Sequence, residues 1–506
     1  MPKILQSSSP SGSVKKGLMP SFLSPASLSS GRLSPVWREG LARLATPRGM
    51  ISAFLAASAF YCFVIGRDRY TSVSEFVIQQ ATPLNTSAAS VLAGAAAAPQ
   101  VLTSLVDGQY LQVYLESSDV KTRLFPDSKQ LDSTTVSNFL ISGLACLRTV
   151  LLLSSLISIE NKKVIVSLNS DNNMTPASNT KLLTFLGAIQ TFNKLPALEY
   201  AIESDSVYHF RSTGYPLLFH PLYNDQNLDD FFKSKKLLKY HIPLELIKPQ
   251  GSGWSWDDYN YYFASEISTF PIYGNSIQAV YNDNGVEIKP DFEILESNIN
   301  SNLTRDRFTN TFEYNLNNWK INDTLYRPFR TSDSLFVNLL SKEIGVKVDI
   351  GNNNDKLKWN QLFTQNDKNL YKGLLQDSDN GIAESLLLMI SKKQKNVFSI
   401  ETAIEVFNEK WKNWLPDKLE WVDGSGVSRY NMFTPKTIVA VLEKIYDTLE
   451  WNEIKEMFPK SGESGTLTAY KDLKNVYAKT GTLKHNHNLS GYLISDSGDK
   501  YIFSFM

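Results

Sequence analysis

Residues 175–187 read TPASNTKLLTFLG and contain Ser178-Asn179-Thr180-Lys181, a serine followed three places later by a lysine. The apolar spacing of Leu182, Leu183 and Phe185 predicts a helix, with Pro176 at its N-terminus. On a helix, positions i and i+3 share a face, so the Lys181 amine reaches the Ser178 hydroxyl. A serine is a poor nucleophile until a neighbouring base takes its proton. Burial lowers a lysine pKa toward the range in which it serves as that base. The dipole at the helix N-terminus favours a developing anion at the same place.

Ser-x-x-Lys alone arises by chance about two or three times in a chain of this length. Two strings further along change its weight. Ser378-Asp379-Asn380 lies in LLQDSDNGIAESLLLMI, and Lys479-Thr480-Gly481 lies in VYAKTGTLKHNHNLSGYL. A second SDN string, Ser170-Asp171-Asn172, precedes the SxxK and reads as turn residues. The order SxxK, SDN, KTG is the pattern of penicillin-binding proteins and class A β-lactamases. Ser178 and Ser378 stand 200 residues apart, which requires an insertion that the β-lactamase spacing does not have. The chain from about 150 to 506 resembles the D-alanyl-D-alanine carboxypeptidase/endopeptidase family, the class C low-molecular-mass penicillin-binding proteins. Flanking words carry the same resemblance: GSGWSWDDYNYYFASEISTF (251–270), DGSGVSRYNMFTP (423–435), and KTGTL followed by LSGYL.

The resemblance implies an α/β fold, a penicilloyl-serine transferase (transpeptidase/β-lactamase-like) domain with an antiparallel sheet between helices. Residues 136–194 and 371–506 would form this catalytic domain, and 195–370 a β-rich insertion. The implied roles follow the motifs. Ser178 attacks a D-Ala-D-Ala or cross-link carbonyl, and Lys181 accepts its proton. Ser378 relays a proton to the leaving amine, while Asn380 holds Lys181 and the substrate amide. Lys479 and Thr480 bind the substrate carboxylate. The N–H groups of Ser178 and Thr482 form the oxyanion hole. Gly481 is expected where a strand hosting substrate tolerates no side chain. Peptidoglycan peptides and β-lactams are the implied partners, with no metal or organic cofactor. One rival is a β-lactamase. Another, from a different class, is a membrane-anchored polysaccharide-export component with a catalytically silent C-terminal domain.

Other residues have plainer readings. Trp254, Trp256, Asp257 and Asp258 either line the substrate path or form a packed turn. Tyr259, Tyr261 and Tyr262 read as core and rim aromatics, and Asp423-Gly424-Ser425-Gly426 as turn chemistry. His485 and His487 flank Asn486 without an apparent third ligand, so a surface role is expected rather than a metal site. TGYPLLFH (213–220) stands where relatives carry Gly-Asp-Pro, so an acidic residue is absent there. The final segments LSGYLIS (489–495) and KYIFSFM (500–506) read as a hairpin. With no closing helix after it, its apolar side chains and last edge are expected to be uncovered.

The first third differs in kind. Residues 1–49 read as a disordered cytoplasmic tail rich in Ser, Pro, Gly and Leu. Residues 50–66, MISAFLAASAFYCFVIG, carry no charge and predict a single membrane helix. Basic residues dominate before it, which orients the N-terminus to the cytoplasm and exports the rest. Residues 67–135 read as a small exported segment and linker. Over 50–125 the chain loosely resembles the start of a polysaccharide chain-length determinant or capsule-export inner-membrane protein. Asparagine is scarce before residue 138 and abundant after it, which marks a boundary and leaves a natural fusion or an assembly error equally open. The apolar run 139–159 reads as a core helix and then a strand at 151–159, with a turn at 161–163 and a second strand at 164–168. The chain has 51 basic and 51 acidic residues, so charge gives no reason to expect nucleic acid. Only Cys62 and Cys146 occur, too few for a disulfide framework.

Overall fold

The computed structural model describes residues 154–506, apart from 205–206, 224, 353–356 and 366. The expected membrane helix at 50–66, the segments on either side of it and the run 139–153 lie outside the described residues. Among those described, no helix is long and apolar enough to cross a membrane.

Sixteen strands are described, in chain order β1 (Ser154–Ser158), β2 (Val164–Leu168), β3 (Pro196–Ser204), β4 (Val207–Arg211), β5 (Leu237–Tyr240), β6 (Ser276–Asn282), β7 (Gly285–Lys289), β8 (Ile294–Glu296), β9 (Leu303–Arg305), β10 (Phe312–Tyr314), β11 (Thr324–Pro328), β12 (Val348–Ile350), β13 (Asn360–Phe363), β14 (Val476–Leu483), β15 (Asn486–Ile494) and β16 (Lys500–Phe505). The helices are α1 (Lys181–Thr191), α2 (Gln226–Lys233), α3 (Asp333–Ile344), α4 (Asp367–Leu375), α5 (Asn380–Lys395), α6 (Ile400–Trp411), α7 (Pro435–Thr448) and α8 (Trp451–Met457).

The strands expected at 151–159 and 164–168 are β1 and β2, joined where Lys162 takes a left-handed conformation (φ 58°). They belong to a five-stranded sheet in the order β14-β15-β16-β1-β2, antiparallel throughout. Helix α7 lies on one face. Tyr492 on β15 donates to the Leu442 carbonyl at 2.7 Å, and Lys500 reaches the Tyr446 hydroxyl at 3.1 Å. Helices α1 and α5 pack behind α7, through Leu182, Leu183 and Leu186 on one and Leu386, Leu387 and Ile390 on the other, all buried.

Two expectations about the C-terminal hairpin are corrected. Leu493 and Phe503 are wholly buried and Phe505 nearly so, with Leu467, Tyr470 and Leu473 from the loop before β14 packed in the same cluster. β16 is also an interior strand, paired with β15 on one side and β1 on the other, so it has no free edge. The chain that begins this part of the fold returns to close it.

Between α1 and α4 the chain is rich in strands. One sheet runs β12-β5-β4-β3-β13, and two three-stranded sheets run β11-β6-β7 and β8-β10-β9. A stack of aromatic rings (Phe210, Tyr240, Phe270, Phe336) ties the first sheet to α3. The word 251–270 contributes two short 3-10 turns, Trp256–Asn260 and Tyr262–Ala264, which bring this region onto the start of α5.

Candidate active site

Ser178 does not sit in the first turn of an α-helix. It occupies a 3-10 turn, Ala177–Thr180, and the α-helix begins only at Lys181. Side chains at i and i+3 eclipse one another in a 3-10 turn, and the Lys181 amine lies 3.1 Å from the Ser178 hydroxyl oxygen. Ala177 is held in a left-handed conformation (φ 47°), costly for a residue with a side chain. The chain at Gly426 presses against it: a Cβ there would come within 1.8 Å of the Ala177 carbonyl oxygen.

The Lys181 side chain is completely buried. Its Nζ also contacts Asn380 Oδ1 at 2.5 Å and the Ser425 carbonyl at 2.7 Å. Both of these atoms can only accept. A neutral amine carries two hydrogens and one lone pair. With both hydrogens committed to Asn380 and Ser425, the lone pair is left facing Ser178. Burial lowers the Lys181 pKa to about 8, against the opposing pull of the Asp423, Glu384 and Asp379 charges.

Asn380 is the first residue of α5, and its neighbour Asp379 caps that helix by accepting from the Ile382 N–H at 2.9 Å. Ser378 precedes them, half-buried and left-handed (φ 61°). It is not among the partners of the Lys181 amine. Tyr262 donates to the other oxygen of Asp379, and Asn380 Nδ2 donates to the Phe263 carbonyl at 2.7 Å. The tyrosine read as a core or rim aromatic therefore holds the SDN turn.

β14 forms the edge of the five-stranded sheet and carries Lys479, Thr480, Gly481 and Thr482. Gly481 runs against the Ser178 turn: a Cβ would lie 2.5 Å from the Pro176 oxygen and 3.1 Å from the Ser178 nitrogen. The close approach that requires glycine is thus to the chain's own backbone. Lys479 is fully buried and donates to the Thr480 carbonyl at 2.9 Å. Burial, and then the nearby Lys181 charge, hold it well below the usual lysine range. Thr480 donates to Thr466 at 2.7 Å. Thr482 pairs with His487 Nδ1 at 2.8 Å, and His487 Nε2 pairs with the Tyr470 hydroxyl at 3.1 Å. Among the described residues no group of three His, Cys, Asp or Glu side chains is placed to hold a metal ion.

Sequence reasoning missed Glu384, Asp423, Thr466 and the Ser425 carbonyl. Glu384 had a legible signal, since it lies four residues after Asn380 on the same helix face. Ser425 contributes a backbone atom, which residue type does not advertise. The words 254–258 divide. Trp254 is a packed residue whose Nε1 donates to Asp423 at 2.9 Å, whereas Trp256 is exposed, with the Arg307 guanidinium 4.0 Å above its ring. The Ser170-Asp171-Asn172 string forms a turn away from these groups, closed by Asn172 N–H to the Asn169 carbonyl.

Several known proteins are similar to this chain. Residues 321–506 match the model of the D-Ala-D-Ala carboxypeptidase 3 (S13) family. The chain is similar to D-alanyl-D-alanine carboxypeptidase DacB of Haemophilus influenzae, 35% identical over 144 residues, which cover 26% of this chain and 30% of that protein. It is also similar to penicillin-sensitive carboxypeptidase A of Dictyostelium discoideum, 34% identical over 94 residues, 16% of this chain and 18% of the relative. The matched stretches thus span less than a third of either curated relative. Among solved structures, penicillin binding protein 4 (dacB) of H. influenzae superposes with a TM-score of 0.54 at 22% identity, over 70% of this chain and 89% of that one. The mixed α/β fold is that of penicillin binding protein 4. The D-alanyl-D-alanine carboxypeptidase/endopeptidase resemblance drawn from the three motifs is borne out.

Proposed function

We propose that this chain is a serine-type D-Ala-D-Ala carboxypeptidase/endopeptidase that acts on peptidoglycan peptides through an acyl-enzyme on Ser178. The observation that carries the reading is the Lys181 amine, buried and 3.1 Å from Ser178, with its other two contacts taken by obligate acceptors. Lys181 takes the hydroxyl proton as Ser178 Oγ bonds to the D-alanyl carbonyl carbon. The N–H groups of Ser178 and Thr482 face the oxygen that becomes negative. The C–N bond then breaks, and Lys181 returns the proton to the leaving amine, a relay for which Ser378 would have to turn toward the Lys181 amine once substrate is bound. Water repeats the sequence on the ester and frees Ser178. An extended substrate adds to the edge of β14 as a further strand, and the Thr480 hydroxyl, with the Lys479 amine behind it, binds its carboxylate.

A β-lactam presents the same carbonyl in a ring whose leaving amine stays attached, and it should trap the acyl-enzyme. Penicillin binding protein 4 of H. influenzae has been described in complex with a β-lactam, which supports this expectation. The test is peptide mapping of the full chain after reaction with labelled penicillin. Label on Ser178, absent from Ser178→Ala and from Lys181→Ala, is the expected result; label elsewhere refutes the assignment. We further place the domain outside the cytoplasmic membrane, anchored through 50–66. This rests on the uncharged run and the basic residues before it. Active alkaline phosphatase fused after residue 130 and after residue 165 tests it, and inactivity at 165 refutes it.

A further inference from the structure

Two buried carboxylates stand behind Lys181 and have no part in the steps above. Glu384 is one turn beyond Asn380 on α5. Its two oxygens accept from the Gly424 N–H at 3.0 Å and the Ser425 N–H at 2.8 Å. Asp423 accepts from the Gly426 N–H at 2.8 Å through one oxygen and from the Ser428 N–H at 2.6 Å through the other. Asn431 and Trp254 complete its contacts. Three consecutive backbone N–H groups, 424 to 426, are therefore gripped by two carboxylates. From the other side, Thr184 on α1 donates to the Gly424 carbonyl at 2.7 Å. The peptide unit joining Ser425 to Gly426 is held at both ends, its N–H on Asp423 and its C=O on Lys181.

We propose that Glu384 and Asp423 are positioning residues of the Ser178–Lys181 pair: by gripping the 424–426 backbone they aim the Ser425 carbonyl at the Lys181 amine and so direct its lone pair at Ser178. The inference rests on the acyl-enzyme reading above. It explains why a loop of turn residues lies wholly buried beside the nucleophile, and why Gly424 and Gly426 are needed there. A Cβ on Gly424 would come within 2.6 Å of the Ala383 oxygen, and one on Gly426 within 1.8 Å of the Ala177 oxygen.

The two carboxylates have a second effect on the same amine. Their negative charges favour its protonated form and oppose the lowering caused by burial. Glu384 is itself pushed upward, first by burial and then by the Asp423 charge. With its own titration pushed up to about 8, Glu384 develops its charge over the same range in which Lys181 loses its proton, and a neutral replacement removes that charge. The amine then loses its proton at lower pH.

The experiment follows the rate of Ser178 acylation by labelled penicillin against pH, on the full chain and on two variants. Glu384→Gln keeps the shape but loses the charge and one acceptor. Its acidic limb should move to lower pH by less than a full unit, because Glu384 is only partly ionised across it, and its plateau rate should fall at least about tenfold, because its amide NH₂ now faces a backbone N–H. Glu384→Asp keeps the charge but is too short to span both N–H groups, so its plateau should fall with the limb in place. A residue that only holds the fold together would change the fraction of active protein and leave the midpoint alone. Variants with the wild-type midpoint and plateau overturn the proposal, as does loss of the folded circular dichroism spectrum in both. A wild-type chain that is never labelled at Ser178 overturns the functional reading and this inference together.

Discussion

Asn380 donates from its side-chain nitrogen to the Phe263 carbonyl at 2.7 Å, and this bond turns its oxygen onto the Lys181 amine 2.5 Å away. An amide has two ends of nearly equal size and opposite hydrogen-bonding character. Here the choice between them is made by a backbone atom from the β-rich region, the Phe263 carbonyl. Tyr262, the preceding residue, holds Asp379 in the same turn. The β-rich region between α1 and α4 thus helps to set the orientation of the site's donors and acceptors.

Tyr262→Phe should slow acylation of Ser178 about tenfold and lower the thermal midpoint. Removing the hydroxyl leaves one Asp379 oxygen short of a partner, and a hydrogen bond to a charged group contributes about 1.5–3 kcal/mol. Penicillin acylation rates and a melting curve, measured side by side, check both outcomes. An unchanged rate would mean that Tyr262 does not hold the SDN turn.

The rate of acylation should rise with pH through about 8, where Lys181 becomes neutral. The sign follows from the role: the amine works as a base only without its proton, so lowering the pH removes the active form. Two units below that midpoint about one molecule in a hundred carries the neutral amine, and the rate should be about a hundredfold below its plateau. A stopped-flow series with a chromogenic cephalosporin between pH 6 and 10 measures it.

Gly481→Ala should cost about a hundredfold in acylation, because displacements near 1 Å at a reacting pair have effects of that size. The new Cβ would lie 2.5 Å from the Pro176 oxygen and 3.0 Å from the Asn179 nitrogen, forcing β14 away from the Ser178 turn. Strain of this kind destabilises by about 1–3 kcal/mol, so the variant should still fold. Acylation and urea midpoints together separate lost geometry from lost structure.

His220 gives a prediction about stability. It is buried beside the SDN turn, and its Nδ1 accepts from the N–H groups of Leu222 and Tyr223 at 3.2 and 3.3 Å. Burial lowers its pKa to about 4, with the Asp379 charge opposing. The folded state therefore stays neutral while the unfolded chain takes up a proton below about pH 6.5. Stability is full above that value and is lost as the pH falls from 6.5 toward 4, by on the order of 2 kcal/mol at pH 5. Urea midpoints at pH 7 and pH 5 should show this loss in the wild type. His220→Gln, which does not titrate there, should show less of it.

Much of this was legible in the residues themselves. Ser178, Lys181, Asn380 and the strand carrying Lys479 to Thr482 were each marked by a short string whose chemistry depends on local spacing. The strands at 154–158 and 164–168 could be read from their pattern and the turn between them. These features are local, because backbone geometry at three- or four-residue range depends on the residues within that range. The C-terminal hairpin was misread for the converse reason. Whether β16 has a free edge depends on β1, more than 340 residues earlier in the chain.

The sequence by itself determined which groups are candidates for chemistry here: a serine with a lysine three places on, and two later motifs in a fixed order. The tertiary structure decided the environment of the lysine. Its burial, the acceptors that claim its hydrogens and the carboxylates behind them come from residues 199 to 244 positions away. Two of those contacts use backbone or amide atoms whose direction no residue type specifies. A lone pair has a direction, and only packing from several distant elements can aim it.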